Sequence, residues 1–184
     1  MSLRHIDVVR HCKAEGQAPG ARLTQEGLEQ AERLAAFYAS APVDRIVTSP
    51  YERAVRTIEP LASRLGIAPQ RDDRLAERVL SAADRPDWRE RLRETYTDLD
   101  LVFEGGESSR EAMRRAVAVV QETLSRPCRH AVLVTHGNLM SLLLKYYDDR
   151  FGFQEWERLS NPDVYRFTFT GETPDIRRIW VMDR

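Results

Sequence analysis

The chain reads as one α/β domain on a mostly parallel sheet, and three observations carry that expectation. Short apolar strands alternate with amphipathic helical stretches. Two of those strands run straight into a histidine, His11 and His136. The 184 residues, 42% of them hydrophobic, suffice for one substantial core and would be cramped as two.

The elements follow in order. Ile6, Val8 and Val9 form a compact apolar strand that ends at Arg10-His11. Leu28, Ala31, Leu34, Ala35 and Tyr38 recur at helical spacing, with Thr24 placed to cap that helix. A second strand, Arg45 to Thr48, meets Ser49-Pro50-Tyr51-Glu52, which reads as a helix start. In that reading Ser49 caps, Pro50 takes the first helical position and Glu52 closes a capping box. The helix should bury Ala54, Ile58, Leu61, Ala62 and Leu65 and stop at Gly66, with Pro60 kinking or dividing it. Residues 68–103 are irregular, charged and broken by Pro86. They are expected either to cover a site or to serve as ordinary connecting structure. Ser108 to Glu111 is another capping box, opening a helix through Met113, Ala116, Val117, Val120 and Leu124. A buried strand, Ala131 to Thr135, then leads through His136-Gly137-Asn138 into Leu139, Leu142 and Leu143. Val164 to Thr170 and Ile176 to Met182 read as strands around the turn residues Gly171 to Pro174.

Composition narrows the function. The 28 Lys and Arg against 29 Asp and Glu give a formal charge of -1, without the one-signed field of a nucleic-acid binder. Cys12 and Cys128 form no CxxC, and neither a cleavable signal nor an apolar run of the ~20 residues that span a membrane is visible. A reduced, cytoplasmic protein is expected. Nearly all the basic residues are arginine, Lys13 and Lys145 being the exceptions, a skew that either anion clamps or coding bias explains.

The chemistry gathers at strand ends. In a parallel sheet those ends share one edge, where α/β folds hold ligands. Arg10 and His11 follow the first strand, Arg53 lies in the first turn of the helix after the second, and His136 follows the later strand. Two guanidiniums, two imidazoles and the free amides of a helix start amount to a pocket for a phosphoryl group. Read alone, Arg53 would pair with Glu52 or Glu59 in solvent. A metal site is disfavoured, because His11, Cys12 and His136 lack a further ligand and the arginines repel a cation.

An ordered set of motifs sharpens this. Val9-Arg10-His11, Leu23 to Ala31, Thr48-Ser49-Pro50 with Arg53-Ala54 and Thr57, Leu75-Ala76-Glu77, Gly105 to Ser108 and Val134-Thr135-His136-Gly137 together resemble the histidine phosphatase superfamily, also called phosphoglycerate mutase-like. The resemblance implies a three-layer α/β/α sandwich over residues 1–184, with 68–103 as its substrate-covering excursion. It further implies that His11 is a nucleophile forming a phosphohistidine and that Arg10 and Arg53 hold the phosphoryl oxygens. A charged His136 would stabilise that group, and Glu77 would protonate the leaving alcohol. No cofactor is implied. Gln17 stands where the family often has asparagine and would offer phosphate an amide. Gly137 and Asn138 are supporting candidates. Glu107 could orient a catalytic histidine, or simply favour the start of the helix that follows it.

Two departures bear on the cradle. Cys12 stands where glycine is usual and Ala14 where threonine or serine is common, so Cys12 could narrow the site or act as a nucleophile or redox switch. His5 and His130 begin strands and read as structural, and Trp88, Tyr96 and Phe103 as core aromatics or a substrate wall. The resulting expectation is a metal-independent phosphomonoesterase acting on small phosphorylated metabolites. A cofactor-dependent phosphoglycerate mutase, a phosphohistidine protein phosphatase and a catalytically weak phosphate-binding interaction protein are the alternatives. Neither nucleic acid nor membrane is an expected partner, and a homo-oligomer is left open.

Overall fold

The computed structural model describes residues 4–180. Its centre is a six-stranded sheet in the order β3-β2-β4-β1-β5-β6, with β1 (Arg4–Arg10), β2 (Arg45–Thr48), β3 (Gln70–Arg71), β4 (His130–Thr135), β5 (Asp163–Phe169) and β6 (Asp175–Arg178). The pairs β1·β4, β4·β2 and β2·β3 are parallel, while β5 and β6 are antiparallel additions on the far side of β1. Val181 and Met182, expected at the end of the last strand, lie outside the described residues.

Side chains alternate across the sheet with the period of two that a pleated strand imposes. Ile6, Val8, Ala131 and Leu133 join one buried cluster; Val9, Val132 and Val134 join the other. The first cluster is covered by α3 (Trp88–Thr97), α4 (Ser109–Ser125), α5 (Gly137–Tyr147) and the short α6 (Phe153–Glu157). On the opposite face lie α1 (Gln25–Phe37) and α2 (Glu52–Leu65). The result is a three-layer α/β/α sandwich. Each aliphatic side chain sealed between its layers contributes about 1.5–3 kcal/mol of transfer free energy.

Local signals set most boundaries. Thr24 accepts the Gly27 amide at 3.0 Å and caps α1. Ser108 and Glu111 exchange side-chain and backbone bonds in a complete capping box. Gly66 ends α2 in the left-handed conformation, φ 66°. Two readings need correction. Of the kink or division expected at Pro60, the division does not occur, since α2 is continuous from Glu52 to Leu65. It begins at Glu52 with Tyr51 at the cap position and no side-chain cap bond, because Ser49 is drawn instead into the site below.

Candidate active site

Strand register assembles the site. Arg10 pairs with Thr135 and Thr48 with Val134, so the chain leaves β1, β2 and β4 along one edge and delivers His11, Ser49 and His136 together. The rings of His11 and His136 lie 5.1 Å apart, edge to face, and both are buried. His11 Nδ1 is 2.7 Å from the Cys12 carbonyl, which can only accept, so Nδ1 carries the proton. Nε2 is left with its lone pair, toward which Arg53 Nε donates at 3.2 Å. Burial, followed by the charges of Arg53 and Arg10, pushes the His11 pKa down to about 3 against the bond to Cys12. The ring is therefore neutral throughout the physiological range, with the lone pair of Nε2 available.

The two arginines are held by carbonyl oxygens rather than by carboxylates, so neither charge is neutralised. Arg53 Nη1 donates to Gln17 O at 3.0 Å and Ala18 O at 2.9 Å. Its helical neighbour Arg56 is the one that takes Glu52 and Glu59, at 2.8 and 2.7 Å. Arg10 Nη1 donates to Leu159 O at 2.9 Å, and Arg10 Nε is buried without a partner among the described residues. His136 Nδ1 is buried and unpartnered in the same sense. A buried polar nitrogen without a partner is costly, and the unpartnered guanidinium donor of Arg10 suits an anionic ligand.

Ser49 Oγ lies 2.7 Å from His136 Nε2 and fixes the ring. Tyr51 packs at 5.0 Å against His136, and the Arg53 guanidinium lies over the Tyr51 ring, 5.1 Å from its centre. The His136 ring itself is set toward the neutral form. Burial, then the nearby His11, Arg53 and Arg10, hold its pKa well below the ordinary value, so the ring is neutral. Gly137 leaves room for Arg10: a Cβ there would meet the guanidinium at 2.9–3.1 Å.

Glu77 reaches the same edge from the segment after β3. Its Oε1 accepts from Leu139 N and Arg78 N, each at 2.9 Å, and Oε2 from Asn138 N at 3.0 Å. The helix start whose free amides meet a carboxyl group of the site is thus that of α5. At the start of α2, which was expected to face the anion, the Glu52 amide is occupied by Pro19 O at 2.9 Å. Asn138 is anchored through Nδ2 to Tyr96 Oη at 2.9 Å.

The remaining candidates divide. Gln17 is exposed, lines the cavity over this edge and holds Arg53 through its backbone carbonyl. Glu107 pairs with Arg115 at 2.7 Å and accepts Arg78 Nε at its backbone oxygen, bracing the turn that carries Glu77. Cys12 is fully buried, its amide bonded to Thr57 Oγ1 at 2.8 Å, and burial pushes its thiol up to about 12. A protonated, sealed thiol suits neither a nucleophile nor a redox switch. His130 is bound to Asp7 at 2.8 Å and His5 to Thr168 at 3.2 Å, in the body of the sheet. The segment after α6, not singled out in the sequence, also braces His11: Asn161 Nδ2 donates to His11 O at 2.8 Å.

An 830 Å³ cavity opens over this edge, lined by Arg10, Glu77 and Asn138 on one side and by the excursion and α6 on the other. Among the described residues no three His, Cys, Asp or Glu side chains are grouped as metal ligands, and no helix is long and apolar enough to cross a membrane.

A family model, the histidine phosphatase superfamily (branch 1), matches residues 6–181, and the chain belongs to that superfamily. No curated protein matches it in sequence. Among solved structures, it is similar to a mycobacterial glucosyl-3-phosphoglycerate phosphatase solved with inorganic phosphate (26% identity, 95% of each chain, TM-score 0.75). It is also similar to a protein described as mycobacterial hydrolase 2 (25% identity, 98% of this chain and 91% of that one, TM-score 0.77). A phosphoglycerate mutase from Bacillus anthracis shares the fold at 14% identity, over 96% of this chain and 92% of that one, TM-score 0.75. The chain is accordingly an enzyme of the histidine phosphatase type.

Proposed function

We propose that the protein hydrolyses small phosphomonoesters without a metal, through a phosphohistidine on His11. The observation that carries this reading is the fixed tautomer of His11, whose free Nε2 faces Arg53 beside the unpartnered nitrogens Arg10 Nε and His136 Nδ1. Nε2 attacks phosphorus as the bond to the alcohol oxygen breaks, and Glu77 gives that oxygen a proton. Arg53 Nε, released from Nε2, needs only a small turn to meet a phosphoryl oxygen on the same phosphorus. Water then attacks the phosphohistidine, Glu77 takes its proton, and His11 regains its lone pair as phosphate leaves. Dividing the transfer replaces one hard displacement with two easier ones. The preorganised cations favour the steps as charge spreads over the transferring group.

Brief reaction with a labelled phosphomonoester, alkaline denaturation and peptide mapping should place phosphate on His11. Label elsewhere, or undiminished turnover in His11→Ala, rejects the reading. Chelation should leave turnover intact.

A further inference from the structure

The cavity beyond the phosphoryl site has a wall of unusual composition. Val79, Leu80, Trp88, Leu92 and Trp156 line it, drawn from the excursion, α3 and α6. Trp88 is 48% exposed and Val79 45%, both among the large hydrophobic side chains left open to solvent. The wall is built rather than loose. The two indoles meet edge to face at 6.2 Å, Trp156 packs on Phe153 at 5.3 Å, and Phe153 on the buried Tyr96 at 6.1 Å. Arg93 lies over the Phe153 ring at 4.9 Å, and an ion pair from Arg89 to Glu157 ties α3 to α6.

Its charges point the same way. The charged lining residues are Arg10, Glu77, Arg78 and Asp84. Arg10 belongs to the phosphoryl site. Arg78 is committed to Glu107 O and Thr95 Oγ1, both within 2.9 Å, and its remaining Nη2 is sealed from solvent. Beyond the phosphoryl site the lining is thus largely apolar, with the neutral polar residues Gln17, Tyr51, Ser81 and Asn138 and one exposed carboxylate, Asp84. A second anionic group on the substrate would find repulsion there and no open cation. The volume, 830 Å³, is that of a site for a ligand much larger than phosphate.

From this juxtaposition we infer that the substrate's alcohol carries a broad apolar group, aromatic in the best case, and no carboxylate. The inference rests on the phosphomonoesterase reading for its substrate and deepens it. Benzyl and methyl derivatives isolate the recognition, because their alcohols are similarly poor leaving groups. Each buried carbon contributes about 0.8 kcal/mol, so covering even two ring carbons gives ~10-fold or more. Calorimetric binding of benzylphosphonate should thus exceed that of methylphosphonate at least ~10-fold. Hydrolysis of benzyl phosphate should exceed that of methyl phosphate and of 3-phosphoglycerate by a similar factor in kcat/KM. Trp88→Ala and Trp156→Ala should each move the benzyl-to-methyl ratio toward one. Phosphonate affinities within ~2-fold, a preference that survives both substitutions, or faster turnover of 3-phosphoglycerate overturns the inference. The phosphonate arm needs no catalysis, so a failed phosphohistidine assignment and a failed apolar wall give different results.

Discussion

At the scale of single residues the site is a set of imidazoles kept uncharged by burial among cations. Unfolded, each histidine takes up a proton near pH 6.5; folded, His11 does so only near 3, and His136 is displaced in the same direction. Between those values the unfolded chain holds the additional protons, so stability is full above pH 6.5 and falls as the solution is acidified. The slope is up to ~1.4 kcal/mol per pH unit for each such group. Denaturant midpoints measured from pH 6.5 to 5 should fall less steeply in His11→Asn than in the parent; parallel slopes would contradict the neutral-imidazole assignment. Ser49→Ala should lower kcat about 10-fold or more with little change in KM, because it frees the His136 ring without removing a phosphate contact. The chemistry-bearing residues at the strand ends were legible, since a strand that ends in Arg-His or Thr-His fixes their placement. Ser49 was not: Ser-Pro before a helix has the same residues whether the serine caps or turns to a histidine, and only the fold brings His136 within reach.

At the scale of elements, α5 begins where catalysis needs both space and donors. Gly137→Ala puts a methyl group on the Arg10 guanidinium while suiting the first turn of a helix. It should therefore leave the melting temperature nearly unchanged and weaken competitive inhibition by inorganic phosphate ~10-fold or more, the value of a hydrogen bond to a charged group. An unchanged inhibition constant would show that Arg10 has a second position. Glu77→Gln keeps the shape at the start of α5 and removes the transferable proton. It should harm alkyl phosphates far more than an activated aryl phosphate. Equal losses would assign Glu77 to helix capping alone. Glu107 illustrates what element-level reading lacks: whether its carboxylate faces the cavity or Arg115 depends on how α4 packs, which the sequence around Gly105-Gly106 does not specify.

For the whole molecule, function occupies one edge of the sheet while stability is concentrated further along the same strands. Asp7 is fully buried in β1 and bonded to Arg166 and His130, at 2.7 and 2.8 Å. Burial alone would raise its pKa, and the bonds from Arg166 and His130 reverse that. Asp7→Asn should cost about 3–5 kcal/mol, the usual penalty for breaking a buried pair, yet leave kcat/KM of the folded fraction close to the parent. Chemical denaturation and a titrated active-site count would separate the two effects. Alternating helices and strands made the layered architecture legible, but not strand order. Nor did any local signal mark the backbone carbonyls of Leu159 and Gln17 as the supports of the two arginines.

The central place of β1 has a consequence for synthesis. Its neighbours are β4 and β5, and His5 pairs with His130 and Thr168. A ribosome working at ~5–20 residues per second therefore needs roughly 6–25 s between emitting the nucleophile's strand and emitting its first partner. Throughout that interval an apolar strand has both edges open, a natural client for a chaperone. A nascent or prematurely ended chain that stops before Asp163 would contain every catalytic residue and still lack the Leu159–Asn161 brace in its folded setting. The assembled site would thus appear only near the end of translation.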